Sequence, residues 1–390
     1  MPSPLVNVVV VGSGVIGLSC ARALARTGRH RVIVVDGGAR GREASLAAAG
    51  ILGPGSEHDV DSPIFRLSLD ALRAWPATLS SWARETGREI PADWTGSLLV
   101  ARDASEAAAL ARRGEVHRAA GLASRLLGPD EARTLEPGLS HGIVAALHVP
   151  EGRIEPVSLH STLTAACVGS GVELRVGTEA GELVGDGPRV RGVRVGEAVL
   201  AADAVVVAAG AWSETLARTC GVALPSAPVK GRLVRLDAPD GRVRHVVKRA
   251  AAYVVPQAGK GLVLGTTAES VGFDRSVSDE LVRSIRRAAE DLLDGLESLR
   301  AIESWYGFRP RLADGLPAIG PVGAREGLFL ATGHFRNGIL LCDITGRLIE
   351  RAVEGDLDPR LAPFSPDRFA VRPGRPPTSA DRVAGTSPAA

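Results

Sequence analysis

The stretch Val6-Asn7-Val8-Val9-Val10-Val11-Gly12-Ser13-Gly14-Val15-Ile16-Gly17 decides the fold of this 390-residue chain. Apart from Asn7, its first six residues are all valine. Both faces of an extended segment are therefore apolar, as in a parallel strand covered by helices on each side. The strand stops at Gly12. From Val15 to Arg26 apolar residues return at helical spacing, Gly28 closes that element, and Arg31 to Val35 forms a second apolar strand, which makes a βαβ unit. Each of the three glycines between strand and helix has a steric task. Gly12 makes the tight turn, Gly14 lets backbone approach a phosphate without a Cβ between them, and Gly17 lets the helix pack on the strand. With Ser13, Val15 and Ile16 they form a loop whose amides and helix N-terminus can receive a pyrophosphate. Asp36 ends the second strand about 20 residues further on, where a carboxylate reaches ribose hydroxyls. The pattern predicts adenine-dinucleotide binding and does not by itself separate FAD from NAD.

Composition narrows the partners. The formal charge of +2 is nearly balanced, and acidic and basic residues are interspersed. No basic run is available to track phosphates or an anionic membrane, which argues against nucleic-acid and membrane partners. Lysine occurs only at positions 230, 248 and 260, so nearly every base is Arg and an individual Arg carries weight only inside a motif. Cys20, Cys167, Cys220 and Cys342 form neither a Cys-x-x-Cys nor a Cys/His ligand pattern, so no metal site is expected and a reducing cytoplasm fits. The apolar run Leu5 to Val11 is short and lacks a basic flank, unlike a signal peptide. No uninterrupted apolar run reaches the roughly eighteen residues of a spanning helix, so a soluble protein is expected.

The length suits two intertwined domains. Pro156 to Gly169 reads as a helix, Val172 to Val176 as a strand, residues 182 to 200 as a hairpin, and Ala204 to Ala208 as a further strand. Residues 228 to 270 differ, being several short strands broken by Pro239-Asp240-Gly241 and Gly259-Lys260-Gly261, with a charged helix near 278 to 294. After Arg372 the chain has too little apolar content to offset the entropy of ordering, so 371–390 reads as a disordered tail.

Two more glycine-bearing strand ends lie far from the first: Asp203-Ala-Val-Val-Val-Ala-Ala-Gly210-Ala-Trp212-Ser213 and Gly327-Leu-Phe-Leu-Ala-Thr-Gly333-His334-Phe335-Arg336-Asn337-Gly338. Together with Gly307-Phe308-Arg309-Pro310 and Asp314-Gly315-Leu316-Pro317-Ala318-Ile319-Gly320, their order and spacing resemble the D-amino-acid-oxidase superfamily of FAD proteins over nearly the whole chain. The runs Gly333 to Leu341 and Ala47-Ala48-Ala49-Gly50-Ile51-Leu52 are similar to its glycine-oxidase branch. The resemblance implies an α/β (α+β) fold with a Rossmann-like FAD-binding domain assembled from 1–85, 150–225 and 305–370. An inserted antiparallel β-sheet substrate domain from 86–149 and 226–304 would cover the flavin. Beyond the glycine loop and Asp36, the resemblance implies FAD contacts from Ala48, Ala49, Gly50, Val176, Ala209, Gly210, Trp212, Gly333, His334, Phe335, Arg336, Asn337, Gly338 and Ile339. It implies oxidative deamination of glycine or another small amino acid or amine to an imine, with O2 reduced to hydrogen peroxide. A homo-oligomer and a part in making the thiazole of thiamine are implied too. Some relatives hold flavin covalently through a cysteine near the arginine motif. Tyr306, Gly307 and Phe308 stand there in this chain, so FAD is expected to be non-covalent.

Particular side chains acquire roles. Ile339, Leu340, Ile344 and Leu348 lie at helical spacing, so a helix opens at Gly338 with its N-terminus toward the flavin. Roughly half a positive charge and free amides would favour the anionic reduced ring there. Asn337 and Gly338 would act through backbone geometry, with His334 and Arg336 along the ring. The alternative for His334 is a packed structural histidine. Arg309, held extended by the following Pro310, offers a planar guanidinium that suits a substrate carboxylate and orients the Cα hydrogen. By resemblance Tyr253 hydrogen-bonds the same carboxylate, the alternative being an aromatic core residue, and Arg336 is grouped with these two as catalytic. Tyr306 reads as packing. Ala251, Ile51 and Ala268 occupy places where some glycine oxidases carry a histidine and methionines, implying a larger or less polar pocket. Two other readings use the same residues: a D-amino-acid dehydrogenase passing electrons to a quinone or carrier, and a dinucleotide-binding protein without turnover.

Overall fold

In the computed structural model, which describes residues 5–38, 43–58 and 62–370, the decisive stretch forms strand Val6–Val11, helix Val15–Arg26 and strand His30–Asp36. Val8 and Val10 are buried on one face, among residues of that helix and of the helix Gly338–Val353. Val9 and Val11 are buried on the other, against Val193, Val205 and Leu216. Burial on both sides is the reason the strand shows no polar alternation, and each such valine contributes about 1.5 to 3 kcal/mol relative to exposure.

This strand is central in a nine-stranded sheet whose parallel members run in the order Glu173–Val176, His30–Asp36, Val6–Val11, Ala204–Val207, Arg325–Thr332. The register sets Val11 beside Val35 and Val207, and Val207 beside Leu330. The loops that follow these strands, with Gly12, Asp36, Gly210 and Gly333 in them, therefore meet at one edge. In open α/β sheets that crevice beyond the carboxyl ends is where ligands bind. The expected single hairpin at 182 to 200 is instead a three-stranded antiparallel meander, Ala180–Asp186, Arg189–Val195 and Ala198–Ala201. Its two turns use Gly187 and Gly196, both at positive φ. The tail 371–390 lies outside the described residues.

A second, eight-stranded sheet has the order Ala301–Leu312, Ser226–Leu236, Gly261–Gly265, Ala252–Gln257, Val246–Arg249, Ser97–Ala101, Ala145–Val149, Arg125–Leu127. Every join is antiparallel except the one between Val246–Arg249 and Ser97–Ala101. The run of short strands expected after 228 begins with a long one, since Ser226–Leu236 spans 11 residues. The limit expected at residue 305 falls inside Ala301–Leu312, which pairs with Ser226–Leu236 along its length. Strand periodicity divides the sheet's side chains. Val234, Val254 and Leu264 pack on helix Asp279–Glu290, whereas Leu233, Tyr253, Val255 and Val263 face Ala49 and Ile51 on the nucleotide-binding side. Among the described residues no helix is long and apolar enough to cross a membrane.

Candidate active site

A cleft of about 680 Å³ opens between the two sheets. At its nucleotide end close packing dictates the glycines. A Cβ on Gly12, whose φ is +111°, would lie 2.4 Å from the Ala208 carbonyl oxygen, and one on Gly17 would lie 1.8 Å from that of Gly12. Helices Val15–Arg26 and Gly338–Val353 both begin at this cleft, and neither Gly14 nor Asn337 places a side-chain acceptor over the helix end. One side-chain partner is present, Ser45, whose Oγ accepts from Val15 N–H at 3.1 Å. Two helix N-termini without caps of their own suit a pyrophosphate and the electron-rich edge of a reduced flavin, so the residues present fit FAD.

Every cofactor-side residue singled out from the sequence lines this cleft except Gly17, Gly333 and Asn337. Gly17 supports the turn from behind. Gly333 stands against Leu312, whose Cγ would be 2.6 Å from an added Cβ. The Asn337 carboxamide oxygen accepts from His58 Nε2 at 2.9 Å. Asp36 lines the cleft, and its Oδ2 accepts from Ser13 N–H at 2.6 Å and Ser13 Oγ at 2.8 Å. It therefore braces the glycine turn as well as facing the crevice. His334 is buried beside Thr345, with Nε2 and Oγ1 3.0 Å apart, and burial holds its pKa down to about 3. The imidazole is thus neutral and packed, and it lines the cleft as well, so both readings for that residue describe its place.

At the other end of the cleft, two strand side chains lie over glycines of neighbouring strands. Arg309 occupies the space where a Cβ on Gly231 would go, 2.1 Å from its Nη1, and the Tyr253 ring occupies the corresponding space over Gly265, also at 2.1 Å. Both residues line the cleft with Arg336. Arg309 donates from Nη1 to the Thr267 carbonyl at 3.0 Å and from Nη2 to Thr266 Oγ1 at 2.7 Å. Each nitrogen carries two hydrogens, so these bonds orient the guanidinium without exhausting it. Burial lowers the Arg309 pKa, and burial raises that of Tyr253, which keeps its phenol protonated as a donor. The threonine seat is itself held: Thr267 Oγ1 donates to Glu269 Oε1 at 2.6 Å, and the same oxygen accepts from Arg232 Nε at 3.0 Å. Tyr306 packs edge-on against Phe308 and under Lys230, as its reading anticipates.

Sequence reading missed the charges behind Arg336. Its Nε lies 2.7 Å from Glu57 Oε2, and Lys248 pairs with the other Glu57 oxygen. Burial favours a neutral Glu57, but Lys248 and Arg336 outweigh that and hold its carboxyl below the usual range. The partners lie 191 and 279 residues from Glu57 in the chain, so no spacing pattern could announce them. Rarity is the one signal: Lys230 and Lys248, two of only three lysines, are both buried. A second omission is the loop after Gly265, where Phe273 stacks on Trp212 at 4.9 Å and Arg275 pairs with Glu43 at 3.0 Å, all four lining the cleft. Of Ala251, Ile51 and Ala268, only Ile51 lines the cleft. The other two are exposed, so they do not enlarge the pocket.

Comparison with known proteins agrees with this geometry. The model of the family described as FAD dependent oxidoreductase matches residues 7–352. A glycine oxidase of Geobacillus kaustophilus (strain HTA426) is 35% identical over 373 residues, covering 94% of this chain and 98% of the relative. The crystal structure of glycine oxidase from Geobacillus kaustophilus superposes with a TM-score of 0.87 at 35% identity, over 92% of this chain and 98% of that one. The crystal structure of iminodiacetate oxidase from Chelativorans sp. BNC1 does so with a TM-score of 0.84 at 26% identity, over 92% and 98%.

Proposed function

The chain belongs to the FAD dependent oxidoreductase family, and on that premise we propose that it oxidises the CH–N bond of glycine or another small amino acid or amine, with O2 as final acceptor and hydrogen peroxide as product. The observation that carries this reading is the convergence of half-buried Arg309 and buried Tyr253 in the cleft that also receives two helix N-termini. Relatives named glycine oxidases support glycine as the first substrate to try.

Bound FAD supplies the two-electron acceptor for the substrate's α-hydrogen. Arg309 would take both oxygens of the substrate carboxylate with the N–H groups its threonine partners leave over, and Tyr253 would donate its phenol to one of them. Two fixed anchors on rigid strands leave the substrate little rotational freedom, so the Cα–H bond is held toward the ring and the orientation entropy is met on binding. Apolar Ala49, Ile51 and Leu233 around the anchors keep water from the reacting carbon. Among the described residues no cysteine lines the cleft, which supports non-covalent FAD. In the division we propose, 1–85, 150–225 and 305–370 serve the cofactor and 86–149 and 226–304 the substrate, with strand Ala301–Leu312 reaching across to carry Arg309.

The test is anaerobic mixing of the purified yellow protein with glycine, sarcosine and D- and L-amino acids, followed by air. Bleaching, then rapid return of colour with peroxide, is the expected result. Bleaching without reoxidation by air would convert the reading to a dehydrogenase, and a protein that takes up no FAD would overturn it.

A further inference from the structure

Two arginines reach the substrate end of the cleft, and their partners differ in kind. Arg309 is held by neutral acceptors, the Thr267 carbonyl and Thr266 hydroxyl, and so keeps its whole charge for a ligand. Arg336 faces a carboxylate: Nε lies 2.7 Å from one Glu57 oxygen and Nη2 donates to the other at 3.4 Å. Glu57 lines the cleft with its side chain 10% exposed. From behind it is gripped by Lys248, whose ammonium also donates to Ser56 Oγ at 3.2 Å. The Phe335 N–H donates to the Pro310 carbonyl at 3.0 Å, which sets Arg336 beside Arg309, and both line the cleft with Tyr253.

A second carboxylate entering beside Arg309 would meet Arg336 next. It would find that guanidinium already paired, and a buried negative charge beside it. Resting on the amino-acid-oxidase reading of the site, we propose that Glu57 is a specificity determinant, which restricts the site to amines bearing one carboxylate by keeping Arg336 from accepting a second. Discrimination of this kind comes from a repulsive element as much as from an attractive one. Lys248 sets its strength, because it draws on the same carboxylate. Glu151, which does not line the cleft, accepts at Oε1 from Ser56 N–H at 2.8 Å. Burial raises its pKa and weakens it as a rival anion.

The test needs no turnover. The FAD-loaded protein is titrated with acetate and with malonate and succinate, and dissociation constants are read from the perturbed flavin spectrum. The wild type should bind acetate more tightly than either diacid. Glu57→Gln should shift the ratio of constants toward the diacids by about tenfold or more, the scale expected for removing one close like charge. Lys248→Met should shift it the other way, since Glu57 is then left to Arg336 and the incoming anion. Tighter diacid binding by the wild type, or a ratio unmoved in both variants while Arg309→Leu abolishes acetate binding, would overturn the role of Glu57 and leave the amino-acid reading standing. Absence of any carboxylate perturbation in the wild type would overturn both.

Discussion

At the nucleotide end of the cleft, recognition is offered by backbone: a turn of glycines packed against the Ala208 carbonyl and two helix N-termini. At the substrate end it is offered by side chains, with Arg309 and Tyr253 over glycines of neighbouring strands and Arg336 balanced by Glu57. The difference teaches how each end tolerates change. A backbone site fails when any Cβ intrudes, whatever its chemistry, because the obstacle is a carbonyl that cannot move away. A side-chain site fails in proportion to the charge or hydrogen bond removed, and can be retuned.

The largest expected effect is therefore at the backbone end. Gly17→Leu forces a Cβ into the Gly12 carbonyl and should yield colourless protein, measured as lost visible absorbance at unchanged yield. A yellow, active Gly17→Leu would break the comparison. Next, Arg309→Ala should cost roughly 2 to 5 kcal/mol of substrate binding while leaving FAD in place, read as a fall in kcat/KM at constant flavin content. Tyr253→Phe removes a single hydrogen bond to a charged group and should cost about 1.5 to 3 kcal/mol in the same measurement, with its cavity still filled by the ring. The last effect is on stability alone and is absent at neutral pH. His334 is held down to about 3 in the folded chain against the ordinary imidazole value of 6.5, so the unfolded chain takes up the proton first as pH falls. Its contribution is complete above the unfolded value and lost on descent toward the folded one. Tm should drop on acidification, and His334→Gln should flatten part of that drop. His117, held to about 4, should account for another part. An undiminished slope in the variant would show that His334 is not the proton acceptor.

The parts of the molecule legible in sequence share a cause. Val6 to Gly17 announces its strand, turn and helix because the spacing needed is local and the residue types are forced: valines for a strand buried twice, glycines where a Cβ would strike a carbonyl. Arg309 was legible through its motif and the following proline. Its seat was not, because Gly231, Thr266 and Thr267 come from other strands and turns and carry no local signature. The meander at 180–201 reads in sequence as one hairpin unless Gly196 is taken as a second turn. Glu57 is, in sequence, one acid among many.

By itself the sequence determined the nucleotide-binding strand–turn–helix, the family to which the chain belongs, and which arginine to watch. Only the tertiary structure decided the company of that arginine. It showed Arg309 with neutral partners and Arg336 tied to a carboxylate 279 residues away. It also showed a histidine made neutral by burial and an aspartate that braces the glycine turn of the first strand. The physical reason is range. Steric demands on a turn act between neighbours and are written in neighbouring letters. Electrostatic balance and desolvation depend on which distant strands the folded sheets bring together.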